Sequence, residues 1–353
     1  MKRALTVGDL GEEALIRRIA RWVDPPPENA VGIGDDAAVL SRPRGAQILT
    51  VDVQVEGTHF RRAWTRPEEL GWKALAVNVS DAAAMGARPE AALVSLILPA
   101  DLEVGAVSGL YRGFRRLARR EGLVLAGGNL ARGDRVSVTI ALTGRPLGRR
   151  ALLRRGARAG DRLFLTGRPG LAALGLHVVK DAVGEGGGDL WRAATAPAAR
   201  ERRDRRLGGG LRRRAAARFL RPEPRVATAA ALLPYRPRAL IDTSDGLSRD
   251  LGHLAGAGCA PVIEADRLPL TRAFRTAVAG LGADAEALAL SGGEDYELLF
   301  ALPPREATRL ESSGTLAGKV VSRIGVMESR AKGVYVRRED RTERLPDTTF
   351  AHF

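Results

Sequence analysis

Cysteine is almost missing from this sequence: Cys259 is the sole one in 353 residues. A lone thiol excludes an intrachain disulfide and any zinc cluster built on several cysteines. Aromatic residues make up only 5%, leaving few rings for a base-stacking surface. No uninterrupted apolar stretch reaches the roughly 18 residues that a membrane helix requires. The opening Met1-Lys2-Arg3-Ala4-Leu5-Thr6 lacks the apolar block of a secretory signal. Gly-Lys-Ser/Thr occurs nowhere, and Gly127-Gly128 followed by Gly133 is neither a Walker loop nor a dinucleotide fingerprint. These absences predict a cytoplasmic protein without a membrane span and outside the P-loop class.

Lysine is rare as well. Of 56 basic residues only five are lysine, yet the formal net charge is +15. Arginine this dominant, beside abundant alanine and glycine, reads as compositional bias rather than as a nucleic-acid signal. The excess is local: eleven arginines fall between Arg200 and Arg225, opposed by Glu201, Asp204 and Glu223 and interleaved only with Phe219. Such a field attracts polyanions in a salt-dependent way, and no specific nucleic-acid partner is expected.

What is present is enough chain for two domains, since single cores stop growing near this length, and a hydrophobic share of 45% to fill them. Asp9 is placed to cap a helix running to about Trp22, before Pro25-Pro26-Pro27 breaks it. Ile48–Val55 alternates like a strand. Pro67-Glu68-Glu69 starts a helix that extends towards Met85. Strands at Ala91–Leu98, Leu123–Ala126 and Val136–Leu142 surround a helix over Glu103–Arg120. After a polar, turn-rich stretch at Arg145–Gly160, strands and helices interleave again, which predicts an α/β (α+β) protein with domains at residues 1–147 and 148–353. Gly184–Gly210 is so rich in glycine and arginine that it reads as a mobile insertion outside the core.

Five aspartate-bearing segments carry the chemistry. They are Gly32-Ile33-Gly34-Asp35-Asp36-Ala37-Ala38, Thr50-Val51-Asp52, Asn78-Val79-Ser80-Asp81, Ile241-Asp242-Thr243-Ser244-Asp245-Gly246 and Ser291-Gly292-Gly293-Glu294-Asp295-Tyr296. Most follow an apolar run or adjoin glycine, so the carboxylates belong at strand ends and tight turns. Unpaired carboxylates are costly to bury, but they suit hard divalent cations, and Mg²⁺ usually joins a few of them to substrate phosphates. Single residues also have plain roles. Asp245 and Ser244 sit where a helix cap would, His59 follows a Val-Glu-Gly turn as hydrogen-bonded surface residues do, and Glu294 and Asp295 stand where a strand is entered. As a set, the segments point to phosphoryl transfer.

In order along the chain, Gly32–Val39, Asp52 through Val55-Glu56-Gly57-Thr58-His59-Phe60, Lys73–Ala87, Asp242–Leu247, Ser291–Leu298 and a terminal His352-Phe353 resemble the thiamine-monophosphate kinase family, in the aminoimidazole-ribonucleotide synthetase superfamily. The likeness spans nearly the whole chain apart from Gly184–Gly210. It implies a two-domain fold of that superfamily that forms a homodimer through its first domain. It implies ATP-dependent phosphorylation of thiamine monophosphate to thiamine diphosphate, with several Mg²⁺ ions. Residue by residue, it implies magnesium ligands at Asp35, Asp52, Asp81, Asn129, Asp242 and Asp245, with Thr50 assisting. It implies ATP contacts at Gly128, Asn129, Arg154 and Ser244, and contacts to thiamine monophosphate at His59, Glu294 and Phe350. Asp36 and Asp295 lie inside the same strings.

The acceptor is a phosphate monoester with a second pKa near 6, so its oxygen is ionised without a catalytic base. In-line placement and charge neutralisation suffice, which makes direct transfer the simpler route. Selenophosphate synthetases and hydrogenase-maturation proteins of the superfamily would bring reactive cysteines that this sequence lacks. The alternatives are an enzyme closer to aminoimidazole-ribonucleotide synthetase and, from another class, an inactive homologue that binds nucleotide or nucleic acid. One departure from the family pattern is Asn129, where the usual residue is aspartate. Asn129→Asp is predicted to lower the Mg²⁺ concentration for half-maximal activity, because a carboxylate binds a hard cation more strongly than an amide oxygen. A Mg²⁺ titration at fixed ATP checks it, and an unchanged midpoint would put position 129 outside the metal shell.

Overall fold

A computed structural model describes residues 4–25, 45–184, 188–192, 196–313 and 315–346. Asp35, Asp36, Phe350 and the terminal His352-Phe353 lie outside these described residues. The chain divides into two compact units. Neither is a continuous stretch: the first comprises Met1–Val79, Pro89–Arg145 and Val178–Gly208, and the second Ser80–Arg88, Pro146–His177 and Gly209–Phe353.

The first unit opens with α1 (Val7–Leu10) and α2 (Glu12–Trp22). Asp9 acts here as the third residue of a capping box on Thr6 rather than as the cap itself. Four strands then form one sheet: β1 (Ile48–Val55), β2 (Ala87–Leu98), β3 (Val124–Arg132) and β4 (Ser137–Pro146), in the order β1-β4-β2-β3. α3 (Pro67–Ala84) is buried on nearly every side, and its residues from Ser80 onward belong to the second unit. α4 (Val104–Glu121) is amphipathic, burying Val107, Leu110, Phe114 and Leu117 beneath an arginine-bearing outer face. One face of the sheet is therefore covered, and its strands alternate buried and exposed positions.

The chain re-enters this unit through the second half of α5 (Leu171–Val183) and then α6 (Ala196–Arg206). The arginine-rich stretch read from sequence as a mobile insertion is, in its described part, packed. Trp191 is buried, stacks on Phe60 with ring centroids 6.0 Å apart, and donates its indole N–H to the Thr65 carbonyl at 2.8 Å. Arg203 is only 2% exposed and grips Glu69 with two hydrogen bonds of 2.7 and 2.8 Å. Burial pushes the Glu69 carboxyl up, but the Arg203 and Arg66 guanidiniums outweigh it and hold it below the usual range. Glycine content misled because it says nothing about one arginine and one tryptophan that find partners 130 residues away in sequence.

The second unit is built on a mixed sheet whose central strands are buried on both faces. Its strands β5 (Arg162–Thr166), β6 (Ala239–Asp242), β7 (Ala260–Glu264), β8 (Leu298–Leu302), β10 (Lys319–Glu328), β11 (Tyr335–Arg338) and β12 (Arg341–Arg344) run in the order β12-β11-β7-β10-β5-β8-β6, with β9 (Thr315–Leu316) pairing β10. β6 and β8 are buried along their whole lengths. On one face Ile241, Leu299 and Ala301 pack with Leu247, Leu251 and Leu254 of α9 (Leu247–Leu254). On the other, Leu240, Leu298 and Phe300 pack with α8 (Val226–Leu232) and α12 (Pro304–Ser313). α7 (Gly210–Leu220), α10 (Arg272–Ala279) and α11 (Ala285–Ser291) complete this unit.

The buried Arg203–Glu69 pair gives a direct test of how firmly α6 is fastened. Arg203→Ala leaves Glu69 a buried carboxylate without its main partner and is predicted to destabilise the protein by about 3–5 kcal/mol. Urea unfolding measures this; a loss below about 1 kcal/mol, the range of surface pairs, would show that the pair contributes no more than an exposed one.

Candidate functional site

β6 ends at Asp242, the loop Thr243–Gly246 follows, and α9 starts at Leu247. This junction gathers most of the second unit's sequence-derived candidates. Asp242 is 5% exposed and accepts a 2.5 Å hydrogen bond from the Ser80 hydroxyl in the last turns of α3, beside half-buried Asp81. Asp245 is more open and meets Arg249 at 3.4 Å. Arg154 is drawn to the same place: the segment before it bonds to β6 through Leu240 N–H to the Leu153 carbonyl at 2.9 Å. Burial lowers the pKa of His253 on α9, and the Arg154 and Arg249 charges lower it further.

Asp250, which sequence reading passed over, is buried behind these residues. Its carboxylate accepts the Asp245 N–H at 3.3 Å. Burial, followed by the Asp242 and Asp245 charges, pushes its pKa up to about 8. The available signal was an acid in the first turn of a helix that begins with glycine, where capping is the ordinary expectation.

The Ser291–Tyr296 segment is stitched to this loop through its backbone. Glu294 N–H donates to the Ser244 carbonyl at 2.8 Å, Tyr296 N–H to the Thr243 carbonyl at 2.8 Å, and Thr243 N–H to the Glu297 carbonyl at 2.9 Å. Gly293 permits the approach: a Cβ there would lie 2.5 Å from the Ser244 carbonyl oxygen. Glu294 and Tyr296 both take left-handed backbone angles, φ 66° and 49°, each costing about 1–3 kcal/mol outside glycine. Glu294 is half-buried, and Asp295 and Glu297 are fully interior.

The first unit holds Thr50, Asp52, His59, Gly128 and Asn129. Thr50 and Asp52 pair with Leu142 and Ile140 of β4, which puts them on the covered face of the edge strand β1. Asn129 pairs with Ser95 of β2 and is exposed on the other face of the opposite edge strand β3. The unit's own sheet therefore does not bring Asp52 and Asn129 together. Gly128 is required where it stands, because a Cβ would fall 1.8 Å from the Val94 carbonyl oxygen. His59 closes the turn after β1: its Nδ1 accepts the Val55 N–H at 3.1 Å, so in the neutral ring Nε2 carries the proton.

Among the described residues, no three His, Cys, Asp or Glu side chains gather closely enough to hold a metal ion by themselves. The donors fit Mg²⁺ nonetheless. Asp242 and Asp245 supply hard oxygen, their charges add to burial in pushing the Asp250 carboxyl up, and Mg²⁺ is usually bound by one or two carboxylates together with substrate phosphates.

The fold and the acidic loops define a protein of the aminoimidazole-ribonucleotide synthetase class, and residues 34–145 match the family described as AIR synthase related protein, N-terminal domain. A thiamine-monophosphate kinase from Rhodopirellula baltica is 34% identical over 88% of this chain and 90% of its own length. A solved structure of AaThiL complexed with AMPPCP and TMP is 30% identical, covers both chains completely and superposes with a TM-score of 0.71. The hydrogenase maturation protein HypE in complex with ATP shares the fold, with a TM-score of 0.73 over 98% of this chain and 97% of its own at 20% identity. This chain belongs to the thiamine-monophosphate kinase family.

Proposed function

We propose that this chain transfers the γ-phosphoryl group of ATP directly to the phosphate of thiamine monophosphate, with several Mg²⁺ ions assisting. Family membership makes it an ATP-dependent thiamine-phosphate kinase that forms thiamine diphosphate. The observation that carries the metal-assisted route is the carboxylate pair of the β6–α9 loop, Asp242 and Asp245, set beside the buried Asp250 carboxyl that accepts the Asp245 N–H at 3.3 Å. Metal-ligand roles are proposed for Thr50 and Asp52 in the first unit, for Asp81, Asp242 and Asp245 in the second, and for Asp35. When bound, Mg²⁺ neutralises charge on the transferring group and aligns donor with acceptor.

The protein's own groups do the rest. Ser80 holds the Asp242 carboxylate in one orientation through its 2.5 Å bond. Ser244 and Arg154 are proposed ATP contacts beside α9, where the Arg154 charge is felt at His253. Gly128 and Asn129 are proposed for ATP and metal on the family resemblance alone. His59 is proposed to donate from Nε2 to the acceptor, and Glu294 and Phe350 to bind its organic portion. No general base is needed, since the acceptor phosphate is already largely ionised near neutral pH. A cytoplasmic location accords with consumption of ATP, and no helix among the described residues is long and apolar enough to cross a membrane.

A homodimer is proposed through the open face of the first unit's sheet. Leu49, Val51 and Val53 of β1 are 75%, 62% and 41% exposed, and Leu93 and Ile97 of β2 share the outward-facing side. Between these strands β4 adds Thr139, Ala141 and Thr143 opposite the β1 residues. An apolar sheet face of this kind marks an interaction surface, and a second copy with the same face gives a closed, two-fold contact.

Two measurements test these readings. Asp242→Asn is predicted to abolish turnover with the thermal unfolding profile retained, while chelation of divalent ions halts wild-type turnover until Mg²⁺ is restored. Near-normal turnover of the variant would remove Asp242 from the metal shell. Val51→Lys is predicted to convert a dimer into a monomer in light scattering; a variant that stays dimeric would move the interface elsewhere.

A further inference from the structure

Glu294 and Tyr296 are the two members of the Gly292–Glu297 stretch that an L-residue backbone resists, with φ 66° and 49°. A turn this strained persists only where its surroundings over-determine it. The residues that alternate with them are both buried carboxylates, and their partners all come from distant parts of the second unit. Asp295 accepts the Gly170 N–H at 2.5 Å and the Ala172 N–H at 2.8 Å, at the start of α5. Glu297 accepts from Arg218 at 2.7 Å, from Arg225 through two nitrogens, and from the Thr166 hydroxyl at 2.6 Å.

We infer that Asp295 and Glu297 are positioning residues, whose buried hydrogen bonds hold Glu294 in its left-handed turn against Ser244 and so set the affinity for thiamine monophosphate. This rests on the reading of Glu294 as an acceptor contact. Neither carboxylate touches substrate in this scheme. With Asp295 tied to α5 and Glu297 tied to the arginines, φ at 296 between them cannot relax. Glu294 is held from both sides, by Asp295 after it and by its own N–H on the Ser244 carbonyl. The three backbone bonds between this stretch and Thr243 and Ser244 seat the strained turn on the loop after β6. Burial pushes the Asp295 carboxyl up, to about 7 even with the two N–H groups pulling it down.

The test is a double-mutant cycle on the full chain with ATP, Mg²⁺ and thiamine monophosphate. In Asp295→Asn the amide NH₂ faces one of the two backbone N–H donors, which breaks one bond at constant volume. The expected result is an acceptor KM raised about tenfold, with kcat and the KM for ATP within about twofold of wild type. Glu294→Ala is expected to raise the acceptor KM similarly, and the double variant to be no worse than Glu294→Ala alone, because Asp295 acts through Glu294. Increments that multiply in the double variant would overturn the inference and leave the Glu294 reading standing. A wild-type acceptor KM in Glu294→Ala would overturn that reading and the inference together. Should Asp295→Asn not fold, Arg218→Ala is the milder probe, since Arg225 remains on Glu297. It is expected to raise the acceptor KM about threefold, and only when Glu294 is present. No change with Glu294 intact would overturn the inference.

Discussion

Glu297 lies in the interior at the entrance to β8, 1% exposed, with the Arg225 and Arg218 guanidiniums and the Thr166 hydroxyl on its carboxylate. Burial alone would push this carboxyl up, yet the arginines hold it below the usual range. A buried carboxylate stripped of such partners costs several kcal/mol, so the position is a fixed point. Around it are arranged β5, through Thr166, α7, through Arg218, and the loop after β6, through the Thr243 N–H to the Glu297 carbonyl. The acidic loop and the glycine-rich segment keep their mutual register because both are tied to this one residue.

The two units manage charge differently. In the second, Glu297 is neutralised by arginines and Asp295 is held by backbone N–H groups, whereas Asp242, Asp245 and Asp250 cluster on one loop and its helix. The contrast separates structure from chemistry: the paired carboxylate holds elements together, whereas the loop carboxylates are the ones proposed to take a cation. In the first unit the buried Arg203–Glu69 pair fastens an arginine-rich helix. Net positive charge in the sequence thus hides a local division of labour, in which a few arginines are interior and most others are solvated.

Much of the fold was readable from sequence. Helices over Pro67–Ala84 and Val104–Glu121 and the strand at Ile48–Val55 followed from proline placement, periodicity and alternation. The strands at 87–98 and 124–132 run longer than read, because Gly127, Gly128 and Asn129 look like a turn but pair with β2. Of the site, the aspartates and glycines stood out by repetition and spacing. Ser80, Asp250 and Glu297 did not, since a serine on a helix, an acid in a first turn and an acid before a strand each have an ordinary local role.

The sequence alone determined the chemistry on offer: hard-oxygen donors in glycine-bounded loops, no thiol system, no Walker loop, and motif strings whose order identified the family. Those properties are local, set by residue type and by neighbours a few positions away. Tertiary structure decided which carboxylates are neutralised and which stay crowded. It decided that Asp52 and Asn129 sit on opposite faces of one sheet, and that Glu294 is forced into a left-handed turn. Such outcomes depend on partners distant in sequence, such as Asp295 with Gly170 or Ser80 with Asp242. No periodicity or propensity encodes such a pairing; it exists only once the chain has brought both partners out of water into the same place.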